Sequence, residues 1–153
     1  MPMSEPGGNQ FLFMETDTSI TFAKKLVEDY NSKYNTSSRL EQAYKLTECT
    51  EGEKGFENAS WPHHDESGVY LILSDNDEVI YVGQTLCFGN RFYQYFADVN
   101  GKCVVRSEYW KKQPKSIVVI PVPDRNAKYE RLSLEEYLIE RLNPCDNTRG
   151  KRE

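Results

Sequence analysis

The sequence predicts an α+β protein: a small, mainly antiparallel, three-stranded sheet flanked by helices, with an N-terminal helical extension. Two runs rich in Val, Ile and Tyr, Gly68–Ser74 and Glu78–Gln84, alternate in character at every second residue around a polar turn, which is typical of a β-hairpin. A third apolar run, Ile117–Pro123, has the length of a buried strand, and Pro121 favours an edge position near its end. Apolar residues at helical spacing before and after these runs predict the helices.

Length and composition indicate one domain with its own core. The chain has 153 residues, of which 38% are hydrophobic and 28% are charged, and these are ordinary values for a globular protein. No apolar run approaches the roughly 20 residues that span a bilayer, and the first ten residues lack the pattern of a secretion signal. We therefore expect a cytoplasmic protein without a membrane partner.

The four cysteines are scattered along the chain and form no CxxC pair. This spacing argues against a zinc site and against a dense disulfide framework. Free thiols are the expected state in a reducing compartment.

The net charge of −5 is unevenly distributed along the chain. Residues 1–67 hold 6 Lys and Arg against 12 Asp and Glu, whereas residues 99–152 hold 12 against 7. Binding to nucleic-acid phosphates needs a locally positive surface, and the C-terminal part meets that need. The acidic N-terminal part favours contact with protein over contact with DNA. A solvated surface of mixed charge would account for the same counts.

Two helices are predicted in an N-terminal extension, residues 17–60, which follows a flexible N-terminus, residues 1–16. Thr18 or Ser19 caps the first helix, which runs to about Tyr34. The apolar side of the second helix consists of Leu40, Ala43, Tyr44 and Leu46. The extension could be a packing layer, a dimerisation element or a DNA-recognition element, and the sequence leaves these open.

The main domain, residues 61–148, begins with Trp61, which we expect to fill the core. His63 and His64 come next, but neighbours on an extended chain point to opposite sides, so we do not expect them to bind one metal ion. Within the hairpin, the turn at Asp75–Asp77 has short Asx side chains that cap their own backbone.

Elements after the hairpin are predicted from helical spacing and turn residues. Arg91 and Tyr95 lie four apart on one face of a helix. After a turn at Asn100–Gly101 comes a short helix over Val104–Lys112, and the apolar strand follows it. After a charged turn over Asp124–Arg131, Ser133 caps a last helix, with Glu136 completing a capping box. Residues 149–153 form a basic tail.

Five of these residues occur in a recognisable order and spacing. Tyr70 ends a Gly-Val-Tyr triplet, and Tyr81 begins a Tyr-Val-Gly triplet eleven residues later. Arg91 follows after ten more residues. Near the C-terminus, Glu135 precedes a Leu-Ile pair by three residues, and Asn147 follows a proline by three. Over roughly residues 66–148 the chain therefore resembles the GIY-YIG nuclease family.

The resemblance implies a DNA endonuclease that needs a single divalent ion. Mg²⁺, with Mn²⁺ as a substitute, would be held by Glu135, whose carboxylate is the hard oxygen ligand that magnesium prefers. Arg91 would contact the scissile phosphate. Tyr81 would be the general-base candidate and Tyr70 its support, although a free tyrosine has a pKa of about 10 and would need a nearby cation to lower it.

The remaining site residues also follow from the resemblance. Tyr95 would face the same pocket, Asn147 would tie the last helix back to the sheet, and Gly83 would let backbone and substrate approach closely. Some family members carry a lysine where this chain has Gln84, whose amide can hydrogen-bond a phosphate but adds no charge. The candidates for the role of that lysine are Lys102, Arg106 and Lys111.

The sequence therefore carries two hypotheses of different classes. The first is a divalent-metal-dependent endonuclease with DNA as its partner, no small-molecule cofactor, and a homodimer left open. The second is a catalytically inactive protein of the same fold that binds nucleic acid or protein, motivated by the acidic N-terminal third and by the uncharged Gln84.

Overall fold

The computed structural model of the protein describes residues 18–46, 61–99, 102–105, 110–122 and 128–147. The elements of these residues, in chain order, are α1 (Ile20–Tyr34), β1 (Tyr44–Lys45), β2 (Gly68–Leu73), β3 (Val79–Thr85), α2 (Phe88–Tyr95), β4 (Phe96–Val99), β5 (Lys102–Val105), β6 (Ser116–Pro121) and α3 (Lys128–Leu142). The α+β class that the sequence predicts is confirmed. Among the described residues, no helix combines the length and the apolar character needed to cross a bilayer.

The main sheet is antiparallel and has four strands in the order β1–β6–β2–β3. The predicted number of three is therefore wrong, because β1 adds a short fourth strand to the free edge of β6. The central strand β2 is buried along its whole length, and it pairs with β3 on one side and β6 on the other. Among the described residues, no strand pairs with the other edge of β3.

Strand β1 replaces the second helix that the sequence predicts around Leu40–Leu46. Tyr44 pairs with Ile117, and the Leu46 N–H donates to the Lys115 carbonyl at 3.0 Å. In an extended chain Tyr44 and Leu46 lie on the same side, and both pack into the aromatic core. The apolar spacing thus fits a strand as well as a helix, and pairing with a distant segment decides between them.

Helix α1 begins where the sequence predicts it. The Ser19 hydroxyl accepts a hydrogen bond from the Phe22 N–H at 3.1 Å, which satisfies one of the unpaired donors of the first turn. The helix ends at Asn35, whose backbone is left-handed and therefore suits an Asx residue. Its buried side packs against α3, with the rings of Tyr30 and Tyr137 5.2 Å apart.

The hairpin of β2 and β3 closes through Asp75–Asp77, as predicted. Asn76 takes a positive φ of 61°, which asparagine tolerates better than most residues. The register shifts between Ile72 and Leu73, so β3 carries one extra residue there. Tyr70 faces Gly83 and Tyr81 faces Ile72, which makes the two tyrosines diagonal neighbours on one face.

Two predicted local structures are wrong. The predicted helix over Val104–Lys112 begins instead in strand β5, which pairs with β4. The last helix begins at Lys128 rather than at Ser133, so Ser133 lies inside the helix and forms no capping box with Glu136. The Leu134 and Leu138 side chains are buried, and packing on the sheet extends the helix by a further turn toward its N-terminus.

Two clusters of buried side chains lie on opposite faces of the main sheet. The first joins α1, the sheet and α3 through aliphatic residues such as Leu26 and Leu134. The second is aromatic, contains Trp61 at 4% exposure, and packs α2 against the sheet. At Gly68, where β2 begins, a Cβ would collide with the Ile120 carbonyl. Trp61 fills the core as the sequence predicts.

Several predictions fall outside the described residues: the flexible N-terminus 1–16, the turn at Asn100–Gly101, the basic tail 149–153, and the states of Cys49 and Cys103. Among the described residues, Cys87 and Cys145 are free thiols.

Candidate active site

The candidate site lies at the outer edge of β3, which no strand of the described part of the chain covers. The Asn147 side chain occupies part of this edge, with its Oδ1 accepting from the Val82 N–H at 2.8 Å and its Nδ2 donating to the Val82 carbonyl at 2.9 Å. The Asp146 N–H donates to the Ile80 carbonyl at 2.9 Å. Asn147 is only 2% exposed, so these hydrogen bonds hold the end of α3 firmly against the strand that carries Tyr81.

Three phenols lie together beside this edge. The hydroxyls of Tyr70 and Tyr95 are hydrogen-bonded at 2.7 Å. The Tyr81 ring lies 6.2 Å from the Tyr70 ring and 6.0 Å from the Tyr95 ring, centroid to centroid. Trp110 packs edge-on against Tyr81 and Tyr95, at 5.7 and 5.6 Å. The phenol cluster, Tyr70, Tyr81 and Tyr95, is thus walled by aromatic rings on the α2 side of the sheet.

Gly83 makes room for this cluster. A Cβ at Gly83 would collide with the ring and hydroxyl of Tyr70. The Tyr70 ring therefore lies directly over the backbone of β3, which explains how a residue this large is 1% exposed on the central strand. Whether substrate also approaches Gly83 stays a prediction.

Burial raises the pKa of the Tyr70 and Tyr81 phenols well above the ordinary value. The neighbouring phenols add to the rise, and the Arg91 guanidinium opposes it at both tyrosines. Both hydroxyls are therefore protonated at neutral pH, and in the hydrogen bond between Tyr70 and Tyr95 either hydroxyl can be the donor.

Glu135 approaches the same edge from α3. Burial raises the pKa of its carboxyl group, Glu136 raises it further, and the Arg131 and Arg91 guanidinium groups lower it. The Glu135 carboxylate in turn raises the pKa of Tyr81. The carboxylate, the Arg91 guanidinium and the Tyr81 phenol thus lie near enough to influence one another, although α2 and α3 lie on opposite faces of the sheet.

The other predicted site residues are placed differently. Gln84 is half-buried and accepts a hydrogen bond from Arg131 Nε at 2.7 Å. Lys111 is exposed, and its backbone N–H donates to Asp146 Oδ1 at 2.8 Å. The Lys102 and Arg106 side chains lie outside the described residues.

Arg131 is the residue that the sequence reasoning misses. The sequence places it in a charged turn, whereas it lies on the second turn of α3. Its spacing of four residues from Glu135 is the signal that could have found it, because such residues lie on one face of a helix.

The donor set at Glu135 fits a hard divalent cation. Glu135 is half-buried, and magnesium keeps several of its own waters, so one protein carboxylate suffices. A second group of ligand atoms, from His64, Asp65 and Cys87, lies within 4.8 Å of one another and could hold a metal ion. That mixed set includes a soft thiol and would suit other metals better than magnesium.

The model of the GIY-YIG catalytic domain matches residues 66–150 of the chain. The chain belongs to the GIY-YIG family. No curated protein matches it significantly. The matched region contains β2, β3, α2 and α3, and therefore Tyr70, Tyr81, Arg91, Glu135 and Asn147.

Membership of the GIY-YIG family points to a nuclease with a nucleic-acid substrate. GIY-YIG nucleases generally depend on a divalent metal, and this chain has a carboxylate in a position that fits one.

Proposed function

We propose that this GIY-YIG protein is an endonuclease that hydrolyses DNA phosphodiester bonds with the help of a divalent cation. The observation that supports this proposal is the electrostatic influence among Tyr81, Arg91 and Glu135: the guanidinium lowers the pKa of both other groups, and the carboxylate raises that of the phenol. Phosphodiester hydrolysis requires an oriented water, stabilisation of charge on the phosphoryl oxygens, and neutralisation of the leaving alkoxide. A phenol, a guanidinium and a metal-binding carboxylate near one another can meet these requirements.

Arg91 is proposed to bind the scissile phosphate. Its guanidinium is half-buried, and among the described residues no carboxylate lies within ion-pair distance of it. A planar guanidinium can donate two parallel hydrogen bonds to phosphate oxygens. The lack of an internal partner leaves these donors available to the substrate.

Tyr81, rather than Tyr70, is proposed to face the attacking water. Tyr70 is almost completely buried and already shares a hydrogen bond with Tyr95, whereas Tyr81 is half-buried. Tyr70 and Tyr95 then hold the Tyr81 ring in place. Because burial keeps the Tyr81 phenol protonated in the metal-free protein, a base role requires added positive charge, and Arg91 contributes part of it.

Glu135 is proposed to hold the cation, Mg²⁺ with Mn²⁺ as a substitute. When bound there, the ion would supply positive charge for the phosphoryl oxygens and would lower the pKa of a bound water. The carboxylate must be ionised to bind, and the two nearby arginines favour that form against the effect of burial.

The test compares cleavage of supercoiled plasmid in Mg²⁺ by the wild type and by the Glu135→Gln and Arg91→Ala variants. Each variant should cleave at least ~100-fold more slowly, the usual loss when one charge-stabilising group is removed from an active site. Glu140→Gln is the matched control, because it makes the same change on the exposed side of α3, and it should cleave at the wild-type rate.

Equal cleavage by the wild type and both variants would contradict the proposal, since the activity would then come from another protein. A wild type that binds DNA but does not cleave it with Mg²⁺ or Mn²⁺ would favour the alternative, a catalytically inactive binding module of the same fold.

A further inference from the structure

Most of the Arg131 side chain is buried, but the end of its guanidinium group reaches the surface. The residue is 6% exposed, and its Nε donates to Gln84 Oε1 at 2.7 Å. Among the described residues, the fully buried side-chain atoms without a hydrogen-bond partner do not include the terminal nitrogens of Arg131. No described residue accepts a hydrogen bond from these nitrogens, so they are exposed to solvent. The guanidinium is thus held by one side and reaches the surface with the other.

The charge of Arg131 has no close carboxylate partner within the described part of the chain. Glu135, four residues later, lowers the electrostatic cost of burying this charge, but no ion pair within 4.0 Å joins the two side chains. A buried cation without a bonded counter-charge is costly. An anion at the exposed nitrogens would complete its coordination.

The hydrogen bond from Arg131 also fixes the orientation of the Gln84 amide. The guanidinium can only donate, so the atom that faces it must be the amide oxygen. The other end of the Gln84 amide is then its NH₂ group, and none of the described residues accepts a hydrogen bond from that group. Arg131 and Gln84 therefore present donors, and no acceptor, on the open side of the pair.

This pair lies beyond the proposed scissile site. Gln84 follows Tyr81 by three residues on β3, which is roughly 10 Å along a strand. One strand of a nucleic acid rises about 3.4 Å per nucleotide, so this distance spans a few nucleotides. Because Arg91 lies on α2 and Arg131 on α3, on opposite faces of the sheet, a DNA strand with one phosphate at Arg91 would pass the edge of β3 and could place a further phosphate at the pair.

We propose that Arg131 and Gln84 form a second phosphate subsite, which binds a backbone phosphate flanking the one that is cleaved. The inference rests on the proposed function for its substrate, DNA. It concerns binding and not chemistry, so it can be tested without cleavage.

The experiment measures binding of a short fluorescent DNA duplex to the full chain in EDTA, by anisotropy, between about 50 and 200 mM salt. Each lost phosphate contact should lower the slope of log affinity against log salt by about 1. Arg131→Gln should show this loss together with about 10-fold weaker binding, the range expected for one charged hydrogen-bonding group. Arg141→Gln, on the exposed end of the same helix, is the matched control and should keep the wild-type slope.

Gln84→Glu guards against a variant that fails to fold. It keeps the shape of the side chain and the acceptor for Arg131 Nε, but it replaces the outward donor with a negative charge. It should preserve the melting temperature and still weaken binding at least as much as Arg131→Gln.

The phosphate subsite and the nuclease function can be refuted separately. Wild-type affinity and slope in folded Arg131→Gln and Gln84→Glu proteins would overturn the subsite while leaving cleavage by the wild type intact. A wild type that never cleaves, but whose variants lose the expected slope, would overturn the nuclease and support the subsite. A wild type that does not bind DNA would overturn both.

Discussion

Tyr70 and Tyr81 are close in space and chemically alike, yet their surroundings differ. Tyr70 fills the space over Gly83 and bonds Tyr95, so it is fixed and sealed. Tyr81 is offset diagonally from it across the strands and is half-buried, so it can reach water. A glycine at position 83 is what separates the two roles, because any side chain there would displace the Tyr70 ring.

The raised pKa of Tyr81 has a consequence for stability at high pH. The unfolded chain ionises this phenol above its ordinary pKa of about 10, whereas the folded chain keeps it protonated. The unfolded state therefore binds fewer protons, and stability falls as the pH rises above 10. In Tyr81→Phe this loss should be smaller by about 1.4 kcal/mol per pH unit above pH 10.

The measurement is the free energy of unfolding in urea at several pH values from about 9 to 11. Tyr129→Phe is the control, because that side chain is 79% exposed and its phenol meets solvent in both states. Equal pH slopes for the wild type and Tyr81→Phe would show that the phenol is not shielded.

At the scale of elements, the two serines that the sequence places at helix starts differ. The Ser19 hydroxyl caps α1, whereas Ser133 lies inside α3 and is exposed. Ser19→Ala should lower the free energy of unfolding by about 1 kcal/mol, since a first-turn N–H loses its partner. Ser133→Ala should be neutral or slightly stabilising, because alanine has the higher helix propensity.

Chemical unfolding of the two variants checks this difference. A loss in Ser133→Ala as large as that in Ser19→Ala would mean that α3 begins at Ser133, as the sequence pattern predicts.

The elements that the sequence predicts correctly are those set by local pattern. The β2–β3 hairpin has alternation and an Asx-rich turn, and α1 has a cap and an apolar face, so neighbouring residues contain the information. Strand β1 depends on pairing with a distant segment, which no local pattern records. The β4–β5 hairpin is local, and the Asn100-Gly101 pair between its strands is a hairpin signal that the predicted helix over Val104–Lys112 overlooks. The start of α3 depends on packing against the sheet in the same way.

The candidate site shows the same division. Spacing between Tyr70, Tyr81 and Arg91 could be read from the sequence because the three residues lie on three consecutive elements, β2, β3 and α2. The Arg131 contact with Gln84 joins positions 47 residues apart. The sequence predicts a turn at Arg131, so it gives no reason to expect this contact. The position of α3, the helix that carries Glu135, beside β3 could be learned only from the fold.

At the scale of the whole molecule, the N-terminal extension is part of the first core. Helix α1 buries Leu26 and Tyr30 in the same cluster as Leu134 and Leu138 of α3. The helix that carries Glu135 therefore packs in one cluster with both the sheet and α1. A role for α1 in supporting the site follows from this packing, independently of any contact with DNA.

The last prediction tests whether α1 and the sheet unfold as one unit. Leu26→Ala removes a buried side chain from the first cluster and should cost about 2–5 kcal/mol. Trp61 and Trp110 both lie in the second cluster, across the sheet, so tryptophan fluorescence reports the face that the mutation does not touch, while far-UV circular dichroism reports the helices. If the molecule is one cooperative unit, both signals should shift to the same lower midpoint.

Lys25→Ala, exposed on the same helix, should change stability by less than about 0.5 kcal/mol. A circular dichroism midpoint that moves while the fluorescence midpoint stays at the wild-type value would mean that α1 separates first, and that the aromatic face holding Tyr70 and Tyr81 does not need it.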